Sequence, residues 1–149
     1  MNKLIGNFIQ SNARVLDLGC GDGSLLAFLK KNNQVKGLGL EIDHKKIQEC
    51  LQKDVSVIDQ DIDSGLSNFQ DQSFDAVIMS QSIQALRKPE VALEEITRIG
   101  KEAIISIPNF ANWRCRLQLI FGGTMPISSA LPHDWYSTPN IHLLSLIHI

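Results

Sequence analysis

Three glycines at alternate positions, Gly19, Gly21 and Gly23, sit in the run Val15-Leu-Asp-Leu-Gly-Cys-Gly-Asp-Gly23, between a short apolar stretch and an amphipathic one. Glycine tolerates positive φ and puts no Cβ in front of an approaching molecule, so such a run can lay bare main chain against a ligand. The spacing departs from the Gly-x-Gly-x-x-Gly that cradles a dinucleotide pyrophosphate, which counts against a nicotinamide cofactor and an oxidoreductase. A helix N-terminus after the turn favours an anionic group, and Asp17 offers an acceptor to a positively charged amino group. S-adenosyl-L-methionine carries a carboxylate, an amino group and no phosphate. With Cys20 inside the turn, Asp17 and the three glycines form the first set of candidate contacts. By itself the turn could equally be a tight strand-to-helix connection.

Two further acids sharpen the reading. Glu41 follows the turn by about 20 residues, the separation at which an acid on the next strand tip reaches both ribose hydroxyls. Asp61, after a third strand, can accept from an adenine amino group, while Ile62, and Ile42 beside Glu41, offer apolar surface to the ring and sugar. Asp59 or Asp63 could replace Asp61. Asp43 competes with Glu41 but already has a reason as a helix N-cap. Ser80 and Gln81 close a fourth strand and would face the methyl-donor end; a polar strand terminus explains them as well, and Asn109 shares that ambiguity. His133 and His142 could act as a base or as substrate contacts, whereas His44 and His148 attract no role. Arg114 and Arg116 fit the solvated face of a helix. No spacing marks a metal site, and no residue is assigned a catalytic role.

These residues need elements that bring them together, and the hydrophobic pattern supplies them. Leu4, Ile5, Phe8 and Ile9 fall at helical spacing. Arg14–Gly19 reads as a buried strand, and Leu25, Leu26, Phe28 and Leu29 as a helix that Asn32 and Asn33 break. A strand over 34–41, a helix from Asp43 through Cys50 or Lys53, and a strand over 55–58 follow. A polar loop over 59–72 leads to a strand over 74–80. Pro89 opens a helix with Val91, Leu93, Ile96 and Ile99, Gly100 stops it, and a fifth strand spans 103–107. Trp113–Phe121 fits another helix, closed by Gly122 and Gly123. The stretch 124–140, with Pro126, Pro132, Pro139, Trp135 and Tyr136, reads as a long irregular loop suited to a lid or binding loop. Strands alternating with helices predict an α/β, doubly wound, mostly parallel sheet with the acids at its carboxyl edge.

The bulk properties agree. A chain of 149 residues supports one domain over its whole length, and 44% hydrophobic with 20% charged residues is an ordinary globular mixture. A net charge of −2 leaves no electrostatic footprint for nucleic acid or for an anionic membrane, so a small molecule or a protein is the expected partner. Three widely spaced cysteines without a Cys-x-x-Cys pair fit a reducing cytoplasm. No leader-like segment and no run near the roughly 18 apolar residues of a membrane span is present.

The chain resembles class I S-adenosylmethionine-dependent methyltransferases, which have a Rossmann-like fold, and more closely the bacterial MetW family of methionine biosynthesis proteins. The resemblance rests on the glycine turn together with Gly39-Leu-Glu-Ile-Asp43, Gln60-Asp-Ile-Asp63, Phe74-Asp-Ala-Val-Ile-Met-Ser-Gln81, Ser106-Ile-Pro-Asn-Phe110, Trp113-Arg-Cys-Arg-Leu-Gln-Leu119, Leu131-Pro-His-Asp-Trp-Tyr136 and Thr138-Pro-Asn-Ile-His142. It implies S-adenosyl-L-methionine as cofactor, held by Asp17, Gly19, Gly21, Gly23, Glu41 and Asp61. It also implies a role in methionine synthesis from homoserine, by methyl transfer or by activating a homoserine O-acyltransferase as partner, and it supplies no agreed methyl acceptor. A small-molecule methyltransferase with an unrelated acceptor is the alternative. The resemblance further implies a helix and two strands after His142, in the order 3-2-1-4-5-7-6. The expectation is therefore a C-terminally truncated domain, with strand five as an exposed apolar edge.

Overall fold

The computed structural model describes residues 1–109, 112–127 and 137–142. The chain runs α1 (Asn2–Phe8), β1 (Arg14–Leu18), α2 (Ser24–Asn33), β2 (Lys36–Glu41), α3 (His44–Gln52), β3 (Ser56–Asp59), β4 (Phe74–Ser80), α4 (Pro89–Ile99), β5 (Gly100–Ser106) and α5 (Trp113–Gly122). The strands form one parallel sheet ordered β3-β2-β1-β4-β5. Val15 to Leu18 of β1 are all buried, as expected of a central strand covered on both faces. Asp17 pairs in register with Gly39 on one side and Ile78 on the other. The fold is the expected α/β architecture, and the sheet order reverses at β1 and β4, so the carboxyl ends of β1, β2 and β4 converge there.

The period-2 alternation of the strands divides the core in two. On one face Val15, Ala76 and Ile78 pack with Ile5, Leu25, Leu26, Leu29 and Cys50 from α1, α2 and α3, and with Ile9 just after α1. On the other, Leu16, Leu18, Val77 and Met79 pack with Ala92, Ile96 and Ile99 of α4 and with Leu66 from the loop after β3.

Several local expectations change. Only Ile5 and Ile9 of the first apolar stripe are buried; Leu4 and Phe8 stay 66% and 68% exposed. In α4 the inward face is Ala92, Ile96 and Ile99, with Val91 and Leu93 turned outward, because a three-turn helix lying on one sheet buries a narrow stripe. Gly100 stops α4 without a left-handed cap: its φ of −105° is extended and it begins β5. Its smallness serves packing, since a Cβ there would lie 2.6 Å from Val77 Cγ2. The loop after β3 carries a single 3-10 turn, Ile62–Ser64.

At the sheet edge, most of β5 is exposed or half-buried, Ile105 among the exposed residues. α5 begins at Asn112, whose side chain accepts from the Arg114 N–H at 3.0 Å, and ends at Gly123 with φ +62°. Cys115 is its buried residue, and Trp113, Leu117, Leu119, Ile120 and Phe121 are exposed. Among the described residues no helix is long and apolar enough to cross a membrane.

Candidate functional site

The turn between β1 and α2 is left-handed at all three glycines, with φ of +76° at Gly19, +57° at Gly21 and +73° at Gly23. An L-residue pays about 1 to 2 kcal/mol at such angles. The space around them differs. A Cβ on Gly19 would meet Ser82 Cβ at 2.9 Å, one on Gly23 would meet Cys50 Sγ at 2.9 Å, and one on Gly21 would meet nothing within 4 Å. Gly19 and Gly23 are therefore held to glycine by the protein's own packing as well as by φ, and Gly21 stands open. The turn is fixed to β2 by the Gly19 and Cys20 amides, both of which donate to the Leu40 carbonyl at 2.9 Å.

Glu41, at the tip of β2, is buried, and its carboxylate gathers three main-chain donors. Oε2 accepts from Gly21 N–H at 2.9 Å, and Oε1 accepts from Ile42 N–H at 2.9 Å and Asp43 N–H at 3.1 Å. A carboxylate offers about four lone-pair directions, so Oε2 keeps capacity for another donor. Asp43 is the N-cap of α3, its side chain accepting from Lys45 N–H at 2.9 Å, as expected, and it lines the same cavity as Glu41.

Asp17 lies deeper than its expected role requires. It is 1% exposed, its Oδ1 has no hydrogen-bond partner among the described residues, and it does not line the cavity. Burial, and then the neighbouring Glu41 charge, push its carboxyl up to about 7. Cys20 is likewise turned into the core: its Sγ lies 3.8 Å from Cys50 Sγ, and a Cβ on Gly39 would meet it at 2.4 Å. Its side chain is absent from the cavity lining, so Cys20 is a packing residue of the turn. Gly23, at the start of α2, also lies outside the lining.

Gly19, Gly21, Glu41, Ile42, Asp61, Ile62, Ser80 and Gln81 do come together, around one cavity of about 670 Å³ at the carboxyl edge of the sheet. That volume suits a ligand of nucleoside size. Asp61 caps the 3-10 turn, accepting from Asp63 N–H at 2.9 Å. Asp63 is occupied by the next loop, accepting from Arg87 N–H at 3.0 Å and Lys88 N–H at 3.3 Å. Asp59 lies outside the lining, 3.5 Å from His44 Nδ1. Asp61 and Asp63 both line the cavity, and of the two Asp61 is the one whose side chain bonds within its own turn. Ser80 Oγ is 3.1 Å from Ser106 Oγ, and the thioether of Met1 lies 3.7 Å from both Ser80 Oγ and Gln81 Nε2.

Other features of the lining, and some of its residues, were not among the site candidates that the sequence offered. Gln81 itself has φ +57°, an unusual conformation for a residue with a side chain. Ser82 donates its hydroxyl to the Leu18 carbonyl at 2.8 Å, bracing the turn from β4. Lys46, Arg87, Pro139, Asn140 and Ile141 are also in the wall, with Asp43, Gln60 and Asp63 among the remaining residues. Of the irregular stretch 124–140, Pro139 and Asn140 line the cavity, and Ile141 follows them there. His142 is next to the cavity, its Nε2 3.1 Å from the Leu86 carbonyl. Asn109 does not line the cavity, and Arg114 lies over the Trp113 ring on exposed α5. His133, Trp135, Tyr136, His148 and Phe110 lie outside the described residues.

A family model described as methionine biosynthesis protein MetW matches residues 2–149. The bifunctional methionine biosynthesis protein MetXA/MetW of Rhodopirellula baltica is similar at 35% identity over 141 residues, spanning 89% of this chain and 23% of that protein. Among solved structures, a SAM-dependent methyltransferase of Thermotoga maritima superposes with a TM-score of 0.64 at 23% identity, over 78% of this chain and 55% of its own. One from Archaeoglobus fulgidus gives 0.62 at 24% identity, over 73% and 54%. The chain thus spans under a quarter of its curated relative and little more than half of each methyltransferase. The two structures establish the class I methyltransferase fold, and the match along nearly the whole length establishes the kinship: the chain belongs to the MetW family of methionine biosynthesis proteins.

Proposed function

We propose that this protein binds S-adenosyl-L-methionine and supports methionine synthesis from homoserine. The observation that carries the reading is the open main chain of Gly21 hydrogen-bonded to a buried Glu41 at the rim of a cavity of about 670 Å³ that Asp61 also lines. The residues present fit the cofactor. Glu41 Oε2 has a lone pair for a ribose hydroxyl, Asp61 an oxygen for an adenine amino group, and Ile42 and Ile62 give apolar surface to the nucleoside. Gly21 allows close approach because nothing occupies its Cβ direction. Asp17, buried behind the turn, acts on a ligand ammonium through its charge. When bound, the cofactor would supply a methyl group activated by a sulfonium; Ser80 and Gln81, which line the cavity at the tip of β4, are the side chains we assign to its methyl-donor end.

The contribution to methionine synthesis takes the form of methyl transfer or of activating a homoserine O-acyltransferase. The Rhodopirellula relative, in which MetXA and MetW are joined in one bifunctional protein, favours a partnership. Two measurements test the reading. Isothermal titration should show S-adenosylhomocysteine binding and no comparable binding of NAD; the reverse would sink the cofactor assignment. Co-purification with a homoserine O-acyltransferase, and loss of acyltransferase activity when this protein is withheld, should follow from partnership. Cofactor binding with neither effect would favour a methyltransferase with an unrelated acceptor.

A further inference from the structure

The segment 137–142 is held against the cavity by main-chain bonds to one residue. Ile141 N–H and His142 N–H both donate to the Gln84 carbonyl, at 2.8 and 3.0 Å. The Leu86 carbonyl can only accept, so the 3.1 Å contact from His142 Nε2 places the ring proton on that nitrogen and adds a third tie. Gln84 is a firm anchor. It is 4% exposed, lies in the 3-10 turn Ile83–Ala85, and its Nε2 donates to the Gln81 carbonyl at 2.6 Å, bracing the residue with φ +57°.

What the tether presents is a large apolar side chain with little to cover it. Ile141 is 59% exposed and lines the cavity, as does Ile42, also 59% exposed, from the other side of the sheet order. Ile62 lines it too, half-buried. Three isoleucines from three separate segments share a cavity whose polar lining combines acids such as Glu41 and Asp61 with the cations Lys46 and Arg87 and with neutral amides and hydroxyls. A purine nucleoside has that chemistry: apolar faces, with donors at its edges and on its sugar.

We propose that Ile141 is a ligand contact, packing its side chain on the nucleoside and so making the tethered segment a wall of the cofactor site. The proposal rests on the cofactor reading above. It gives the Gln84 and His142 ties a purpose, since they spend three hydrogen bonds on fixing a segment whose neighbouring side chain is left in water.

The test uses the full chain with S-adenosylhomocysteine and, separately, adenosine as probes. Because Ile141 is exposed, Ile141→Ala should leave the unliganded Tm within about a degree of the parent while weakening both probes roughly five- to tenfold. Ile120→Ala on α5, at 71% exposure, is the matched control and should change neither. Hydrogen exchange at the Ile141 and His142 amides should slow when S-adenosylhomocysteine is added. His142→Ala, which removes the tie to Leu86, should speed that exchange in the free protein and also weaken binding. Equal affinity in the parent and Ile141→Ala, with exchange at 141 and 142 unaffected by ligand, overturns the proposal and leaves the cofactor reading standing. Failure of the parent to bind S-adenosylhomocysteine overturns both.

Discussion

Glu41 Oε2 and the Gly21 amide form a 2.9 Å strut between the tip of β2 and the glycine turn. The same carboxylate holds the Ile42 and Asp43 amides, so it shapes the start of α3 as well as the turn. Glu41→Ala should therefore do two things at once. It strands three amides, costing about 1 to 3 kcal/mol of stability, and it removes charge-assisted bonds to a ribose worth about 1.5 to 3 kcal/mol, so S-adenosylhomocysteine should bind at least tenfold more weakly. Titration at a temperature where circular dichroism shows the variant fully folded separates the two effects. Undiminished affinity there removes ribose recognition from Glu41 and leaves it a scaffold.

The three glycines should fail differently. Gly23→Ala combines a φ of +73° with a 2.9 Å approach to Cys50 Sγ, a fully buried group that donates to the Gly21 carbonyl at 3.1 Å. It should cost about 2 kcal/mol or more in a denaturant melt. Gly21→Val meets no such neighbour, so its stability loss should stay near the left-handed penalty of about 1 to 2 kcal/mol while cofactor binding falls much further. If Gly21→Val binds S-adenosylhomocysteine as well as the parent does, the ligand does not approach this main chain.

Much of this site could be read from residue order because its parts are local. β1 betrays itself as an unbroken apolar run because it is buried on both faces, and Glu41 stands out because one helix and one strand separate it from the turn. The reasons for individual residues were harder to see. Gly19 and Gly23 owe part of their identity to Ser82 and Cys50, which are distant in the chain and meet them only through the sheet order. Gly100 does stop α4, as its place after the apolar stripe implied, but its smallness also answers to Val77 on a neighbouring strand, which residue order does not show. Asp17 looked like an open acceptor and is buried, because a β1 residue flanked by Gly39 and Ile78 has strands on both sides. The tie of Ile141 to Gln84 runs through a main-chain carbonyl, which leaves no mark on residue type.

Asp61 and Asp63 offer a sharper separation. Asp63 supports the loop after β4 by accepting from the Arg87 and Lys88 amides, and Asp61 caps its own turn beside the cavity. Asp63→Ala should lower stability by about 1 kcal/mol through those unpaired amides, with affinity changed only as far as the loop moves. Asp61→Asn keeps a good cap, so its melt should match the parent, and a charged acceptor is lost from the cavity. Its affinity for S-adenosylhomocysteine should fall several-fold. A melt that drops for Asp61→Asn with affinity intact would reverse the two assignments.

The burial of Asp17 makes a prediction about pH whose sign is fixed. Its carboxyl is raised from an ordinary value near 3.8 to about 7, first by loss of solvent and then by the Glu41 charge. The folded chain therefore keeps a proton at Asp17 that the unfolded chain gives up, and between about pH 4 and pH 7 the contribution of Asp17 to stability falls as pH rises, levelling off above the folded value. Asp17→Asn carries no such proton. Its amide adds a constant cost or gain, so the informative quantity is the pH dependence of the difference between the two proteins. That difference should move in favour of the variant by up to about 4 kcal/mol from pH 4 to pH 8, read from urea melts at several pH values. A ligand ammonium near the turn favours the ionised carboxyl, so S-adenosylhomocysteine binding near pH 6.5 should release a proton, seen as a dependence of the titration enthalpy on the buffer, in the parent and much less in Asp17→Asn. A stability difference that stays flat across the window would mean that Asp17 ionises as it does in water and would overturn the raised value argued from its burial.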